Sequence, residues 1–255
     1  MAAMMPDAKG SPGGAPTAAT VDAGASGEDD GAWRTTARTK VRRLPERGRY
    51  DRETIERILD EGFICHLGFC TDDGPVVVPT AFARVGDVLY LHGASANHAL
   101  RSIGDGAPVC VVVTLLDGLV LARAAFHHSI NYRSVVVYGH GTEVTDPVEK
   151  RRALEAVVEH IVPGRTADAR GPNDSELRAT RVVRIPIDEA SAKVRAGGPK
   201  DDPEDIEAGG IWAGHLPLRV VPGAPVEDDH GPDGARAEGL GVPGYLAGYR
   251  RPPFD

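Results

Sequence analysis

The sequence has little cysteine, few aromatic residues and a deficit of positive charge. It contains three cysteines, Cys65, Cys70 and Cys110, and 5% aromatic residues. The cysteines lie in apolar segments without the spacing of a zinc site, so we expect buried, reduced thiols and no metal site. A formal net charge of −8, with no basic run interleaved with aromatics, argues against nucleic acid as a partner.

Long apolar runs are also missing. No stretch approaches the length of a membrane span, and the N-terminus has no basic region followed by an apolar core. We therefore expect a cytoplasmic protein without a membrane partner. The hydrophobic share of 41% is enough for a substantial core.

Composition divides the chain into three parts. Residues 1–48 form a predicted N-terminal tail, first rich in Ala, Gly, Pro and Asp and expected to be disordered, then basic from about residue 33. Residues 49–226 alternate between apolar runs and turn signals and form the predicted domain. Residues 227–255 are rich in Pro, Gly and charge and are predicted to be a loose tail.

The predicted domain is mainly β with helices at its edges. Apolar and β-branched runs predict strands over residues 63–71, 76–84, 88–92, 108–116, 119–125, 134–144 and 181–186, with a turn at Asp117-Gly118. Cap and stop signals predict helices after Asp51, after Asn97 and after Asp146. Hairpins with curl-forming glycines favour a small closed antiparallel barrel of six or more strands. No βαβ series and no GxGxxG motif occurs, which argues against a Rossmann domain.

A small-residue loop at residues 93–97 separates the predicted strand 88–92 from a helix that begins at His98. Ser95, Asn97, His98 and Arg101 cluster there, and free amides at a helix start can bind an anion. The simpler interpretation is an ordinary helix capped by Ser95 or Asn97, and local sequence favours it.

Two longer segments carry a family resemblance. TLLDGLVLARAAFHHSINYRSVV (residues 114–136) and ASAKVRAGGP (residues 190–199) resemble the pyridoxamine 5′-phosphate oxidase-like, flavin-nucleotide-binding split-barrel proteins. The nearer branch includes nitroimidazole-resistance proteins, and the similarity covers about residues 49–226. It implies a six-stranded antiparallel split β-barrel with flanking helices and a homodimer with FMN at its interface.

The resemblance also implies a cofactor site built from strand residues along the flavin ring, loop residues around the ribityl phosphate, and a wall from later segments. The implied ring contacts are Val78, Pro79 and Thr80, the phosphate contacts are Ser95, Asn97 and His98, and the wall residues are Ser129, Asn131, Tyr132, Arg133, Lys193 and Trp212.

The expected chemistry is that of a flavin oxidoreductase acting on a small organic substrate, since the flavin carries the electrons and the protein orients it. The catalytic candidates are His98 and His128. The loop ASANHALRS has a single guanidinium, unlike the basic loop of pyridoxamine phosphate oxidases proper, so vitamin B6 oxidation is not expected. The alternatives are a haem-binding split barrel with His98, His127 or His128 as axial ligand, a deazaflavin in place of FMN, and a non-catalytic flavin-storage module.

Overall fold

A computed structural model describes residues 31–228 and 241–249. The segment predicted to be disordered lies almost wholly outside the described residues, as does much of the predicted C-terminal tail. The helices are α1 Arg52–Glu61, α2 His98–Gly104, α3 Pro147–Ile161, α4 Asp174–Ala179, α5 Pro203–Ala208 and α6 Gly244–Ala247. The strands are β1 Gly48–Arg49, β2 Ile64–Thr71, β3 Gly74–Val85, β4 Val88–Ala94, β5 Asp105–Leu121, β6 Ser129–Glu143, β7 Thr180–Pro186, β8 Glu189–Arg195 and β9 Gly214–Pro217.

Six strands close into a barrel. The sheet has the order β1-β8-β6-β7-β4-β3-β2-β5-β9, and β6 pairs in addition with β5, so that β2 to β7 form a ring. The pairings around this ring are antiparallel. The predicted fold class is therefore confirmed. The described sheet nevertheless has nine strands rather than six, because β1, β8 and β9 pair outside the ring.

Strand β5 continues through Asp117-Gly118, so the turn predicted there is wrong. The pairing with β6 shifts register at these residues, which marks a β-bulge. Asp117 directs its carboxylate from the bulge to Arg133. Gly118 admits β9, because a Cβ on it would lie 2.9 Å from the carbonyl oxygen of Leu216. Asp-Gly suits a bulge as well as a turn, which is why the local sequence does not separate the two.

The first helix closes one end of the core. Asp51 caps α1 by accepting a hydrogen bond from the Thr54 amide at 2.8 Å. Ile55, Ile58 and Leu59 are fully buried, and burial of each such side chain stabilises the fold by about 1.5–3 kcal/mol. The barrel residues that share this core include Leu67, Phe82, Leu89, Leu91, Val111, Val113, Val135 and Ile185.

The basic segment ahead of β1 packs on the barrel. The amide of Trp33 donates to the Tyr50 carbonyl at 2.9 Å, and the buried Trp33 ring lies 4.1 Å from the Arg52 guanidinium. The amide of Val41 donates to the Tyr50 hydroxyl at 2.9 Å, and Thr39 is buried. We call residues 34–47 the basic strap. The described part of the predicted N-terminal tail is thus attached to the sheet.

A short C-terminal segment returns to the domain. The Tyr245 hydroxyl donates to Asp168 at 2.7 Å, and the Tyr249 hydroxyl donates to the Ile161 carbonyl at 2.7 Å. Within the described ranges, none of the helices is both long and apolar enough to cross a membrane.

Candidate functional site

The loop predicted to hold a phosphate connects β4 to α2. Asn97 is the N-cap of α2, and its side chain accepts a hydrogen bond from the Leu100 amide at 3.1 Å. Gly93 permits this turn, because a Cβ there would lie 2.9 Å from Leu100 Cδ1 and 3.1 Å from Asn97 Nδ2. The capped helix is therefore present, and the anion site at the same loop stays a prediction.

The loop keeps polar groups available to a ligand. All three side chains predicted to contact the phosphate are exposed, and no described residue accepts from the amides of His98 and Ala99. Arg181 of β7 also reaches the loop, since its Nε donates to the Ser95 carbonyl at 3.4 Å while its Nη1 pairs with Glu143. No local pattern marks Arg181, because only the pairing of β4 with β7 brings it to this place.

The predicted ring contacts lie where the barrel opens. Val78, Pro79 and Thr80 sit on β3, with Pro79 opposite His66 of β2. Strand β3 pairs with β4 through residues 82–85, so within the described part of the chain residues 76–81 have a strand partner on one edge alone. Unpaired backbone groups at such an edge can bind a ligand. The structure thus places an open strand edge at the predicted ring contacts.

The predicted wall residues of β6 separate onto two faces, because successive side chains of a strand alternate. Ser129, Asn131 and Arg133 share one face, on which Asn131 and Arg133 are buried, whereas Tyr132 lies on the other face and is partly exposed. Asn131 is held by the guanidinium of Arg195 and by a glycine carbonyl. Only part of the predicted wall can therefore meet one ligand from one side.

Arg133 lies in a buried cluster with two carboxylates. Its Nε and Nη2 donate to Asp117 at 2.9 and 2.8 Å, and its Nη2 donates to Glu61 at 2.9 Å, with a further bond from Nη1 to Glu61. Burial alone would lower the pKa of the guanidinium, but the hydrogen bonds to both carboxylates outweigh it and raise that pKa. The cofactor contact predicted for Arg133 stays a prediction, and its charge is already compensated.

The remaining wall residues differ in environment. Lys193 lies on β8 opposite Ser134 and is partly buried. Trp212 is 69% exposed just ahead of β9, with its ring 2.9 Å from the position that a Cβ on Gly214 would occupy. The structure therefore does not bring Trp212 into the described core.

Two adjacent histidines follow β5 and have different partners. His127 Nε2 lies 3.1 Å from the Asp202 carboxylate. His128 Nδ1 lies 3.1 Å from the carbonyl oxygen of Ala124, and its side chain is exposed. A carbonyl only accepts, so Nδ1 of His128 is the hydrogen-bond donor, and in the neutral imidazole Nε2 then carries the lone pair. His128 thus has the tautomer of a metal-ligating histidine.

One group of possible metal ligands has no counterpart in the sequence patterns. His127, Asp202 and Asp205 offer ligand atoms that all lie within 4.8 Å of one another. They come from two distant segments, so no ligand spacing marks them.

The side of the sheet turned away from the core carries exposed apolar residues. We define the open sheet face by Ile64, Val77 and Leu116, which are 56%, 64% and 48% exposed. These residues lie on β2, β3 and β5, which are neighbours around the ring. Exposed apolar side chains on one side of a sheet are a candidate surface for a protein interface.

Comparison with known proteins relates this architecture to flavin and haem proteins. The chain matches the pyridoxamine 5′-phosphate oxidase family over residues 51–194. It is similar to the flavocytochrome Anf3 of Azotobacter vinelandii, with 36% identity over 84% of this chain and 97% of that chain and a TM-score of 0.77. It is also similar to an FAD and haem binding protein of Mycobacterium smegmatis, with 38% identity over 79% and 96% of the two chains and a TM-score of 0.73.

A more distant match is a proposed 5-nitroimidazole antibiotic resistance protein of Bacteroides thetaiotaomicron. It shares 28% identity over 58% of this chain and 86% of that chain, with a TM-score of 0.48. No curated protein matches the sequence.

Proposed function

Because the chain belongs to the pyridoxamine 5′-phosphate oxidase family, we propose that it binds a flavin nucleotide and is an oxidoreductase acting on a small organic substrate. The observation that carries this proposal is the similarity, at 36% and 38% identity over nearly their full lengths, to a flavocytochrome and to an FAD and haem binding protein. The sequence predicts FMN as the flavin, and the second of these proteins favours FAD as its alternative.

The split in the barrel supports this function. The open edge of β3 offers backbone donors and acceptors beside Val78, Pro79 and Thr80, and such groups can orient a flavin ring. The loop ahead of α2 offers Asn97, His98 and free amides for a phosphate. When bound, the flavin would take up and pass on electrons, while these residues fix its position.

A titration with FMN and FAD, followed by quenching of flavin fluorescence, tests the site. We expect Asn97→Ala and His98→Ala to raise the flavin Kd by roughly 10- to 100-fold, since a hydrogen bond to a charged group contributes about 1.5–3 kcal/mol. Asn97→Ala should also cost about 1 kcal/mol of stability through loss of the cap. Arg178→Gln, on exposed α4, is the control. Unchanged affinity in both site variants would show that the phosphate binds elsewhere.

Assembly as a homodimer is part of the same proposal. The open sheet face supports it, because the apolar side chains of Ile64, Val77 and Leu116 would otherwise stay exposed to water. A second copy on this face would shield these side chains and lie beside the open edge of β3.

Haem binding is the second candidate function, and His128 favours it. Its Nδ1 proton is held by the Ala124 carbonyl, which leaves Nε2 as a ligand for iron. Haem titration should give a Soret band that His128→Ala abolishes and His127→Ala preserves, since His127 is engaged with Asp202. An identical band in both variants would exclude His128 as the ligand.

A further inference from the structure

The basic strap and the sheet beneath it flank a cavity of about 250 Å³ that opens to solvent. The strap lines one side from Arg38 to Arg43, and β6 and β8 line the other with Ser134, Tyr138, Ser191 and Lys193. We call this cavity the strap pocket. Its walls thus combine cationic side chains with hydroxyl groups, the two kinds of group that bind phosphate oxygens.

The cations of the strap pocket outnumber the carboxylates that could neutralise them. Arg38 pairs with Glu189, which also accepts from Thr36, and the Arg38 guanidinium lies 4.7 Å from the centre of the Tyr138 ring. The other basic residues of the pocket form no ion pair with any described residue, namely Lys40, Arg42, Arg43 and Lys193. The strap pocket therefore has a positive potential, although the net charge of the chain is −8.

Arg195 extends this positive region along β8. It lies two residues from Lys193, hence on the same face of the strand, and is only 7% exposed. Its partners in the described structure are neutral, namely the Asn131 side chain and the carbonyls of Gly197 and Gly198. Burial lowers the pKa of its guanidinium, and repulsion from Arg47 of the strap lowers it further. A buried charge without a counter-ion is costly, so an anion bound nearby would stabilise it.

We propose that the strap pocket binds the diphosphate group of a nucleotide. Two linked phosphates match a site in which cations face one another from the strap and from β8, with hydroxyls between them. The cavity accepts a diphosphate and leaves the rest of the nucleotide outside it. The nucleotide is either FAD, the flavin cofactor itself, or a nucleotide that delivers electrons to the flavin. Only this identity rests on the proposed flavin function.

Calorimetric titration of the full-length protein with inorganic pyrophosphate and with ADP tests the pocket without any flavin. We expect the double variant R42Q/R43Q to raise both Kd values at least tenfold, because it removes two cations that form no ion pair with any described residue. The control R152Q/R178Q removes two exposed arginines on α3 and α4 and should change the Kd less than twofold. Binding should weaken as salt is added.

Two results would overturn the proposal. One is the absence of measurable binding of pyrophosphate and ADP to the unaltered protein, and the other is equal Kd values for R42Q/R43Q and its control.

Titrations of the same variants with FMN, FAD and NADPH show which nucleotide carries the diphosphate. If the diphosphate is that of FAD, the flavin phosphate lies in the strap pocket and not at the loop ahead of α2. R42Q/R43Q then weakens FAD binding most and FMN binding less, since FMN carries one of the two phosphates, whereas His98→Ala changes neither. If it belongs to an electron donor, R42Q/R43Q weakens NADPH binding and spares both flavins. A protein that binds pyrophosphate but no flavin would retain this site and refute the flavin function.

Discussion

Substitution of Arg133, which bonds to Glu61 and Asp117, has a predictable effect on the free energy of unfolding. The side chains of these three residues are 9%, 14% and 31% exposed. Arg133→Met would remove the guanidinium that both carboxylates bond to, and breaking a buried ion pair in this way costs about 3–5 kcal/mol. The partial exposure of Asp117 places the expected loss near the lower end of this range.

The loss can be read from thermal unfolding followed by circular dichroism. In a domain of this size 1 kcal/mol shifts Tm by about 2–4 °C, so we expect Arg133→Met to lower Tm by roughly 6–12 °C for about 3 kcal/mol. Adding E61Q and D117N to the variant should recover part of this loss, because the unpaired charges are then gone. An unchanged Tm together with a raised flavin Kd would refute the reasoning and assign Arg133 to the cofactor instead.

Three further predictions concern thiols, pH and assembly. Burial raises the pKa of Cys65 to about 12, so Ellman's reagent at mildly alkaline pH should label the exposed Cys70 and reach Cys65 only after unfolding; fast labelling of Cys65 would contradict its burial. The hydrogen bond from Arg170, with that from the Asn173 amide, lowers the pKa of Glu176 to about 2. Because the folded-state pKa is depressed, the stabilisation of α4 should be complete above the ordinary pKa of a glutamate and be lost progressively as the pH falls from there towards 2; an NMR titration with an ordinary midpoint would contradict this. Val77→Asp on the open sheet face should shift the protein from dimer to monomer in light scattering, and a monomer already before substitution would contradict the homodimer.

The local sequence predicts helix starts and hairpins, because these depend on residues that are close together in the chain. Asp51 and Asn97 cap the helices for which they were candidates, because a cap needs only the first turn that follows it. The hairpins β2–β3 and β3–β4 follow from β-branched runs and tight turns, whereas the pairs β2–β5 and β4–β7 join strands that are distant in the sequence. The bulge at Asp117-Gly118 was missed because Asp-Gly suits a turn as well as a bulge, and the strand β9 that packs against Gly118 lies about a hundred residues later in the chain.

The site was less predictable than the fold for the same reason. Arg133, Glu61 and Asp117 come from β6, α1 and β5, and no spacing in the sequence links them. From the sequence, the basic strap is predicted to be solvated charge. The structure shows that β8 lies beneath it and forms the other wall of the strap pocket. The resemblance to known proteins supplied candidate contacts, and the structure adds the open edge of β3 that could receive a ring.

The absorbance spectrum of the protein as purified from cells tests the central claim most directly. We expect a yellow protein whose flavin absorbance is released into solution on denaturation, at one flavin per chain. A colourless protein that gains no flavin absorbance after incubation with FMN and with FAD would contradict the account.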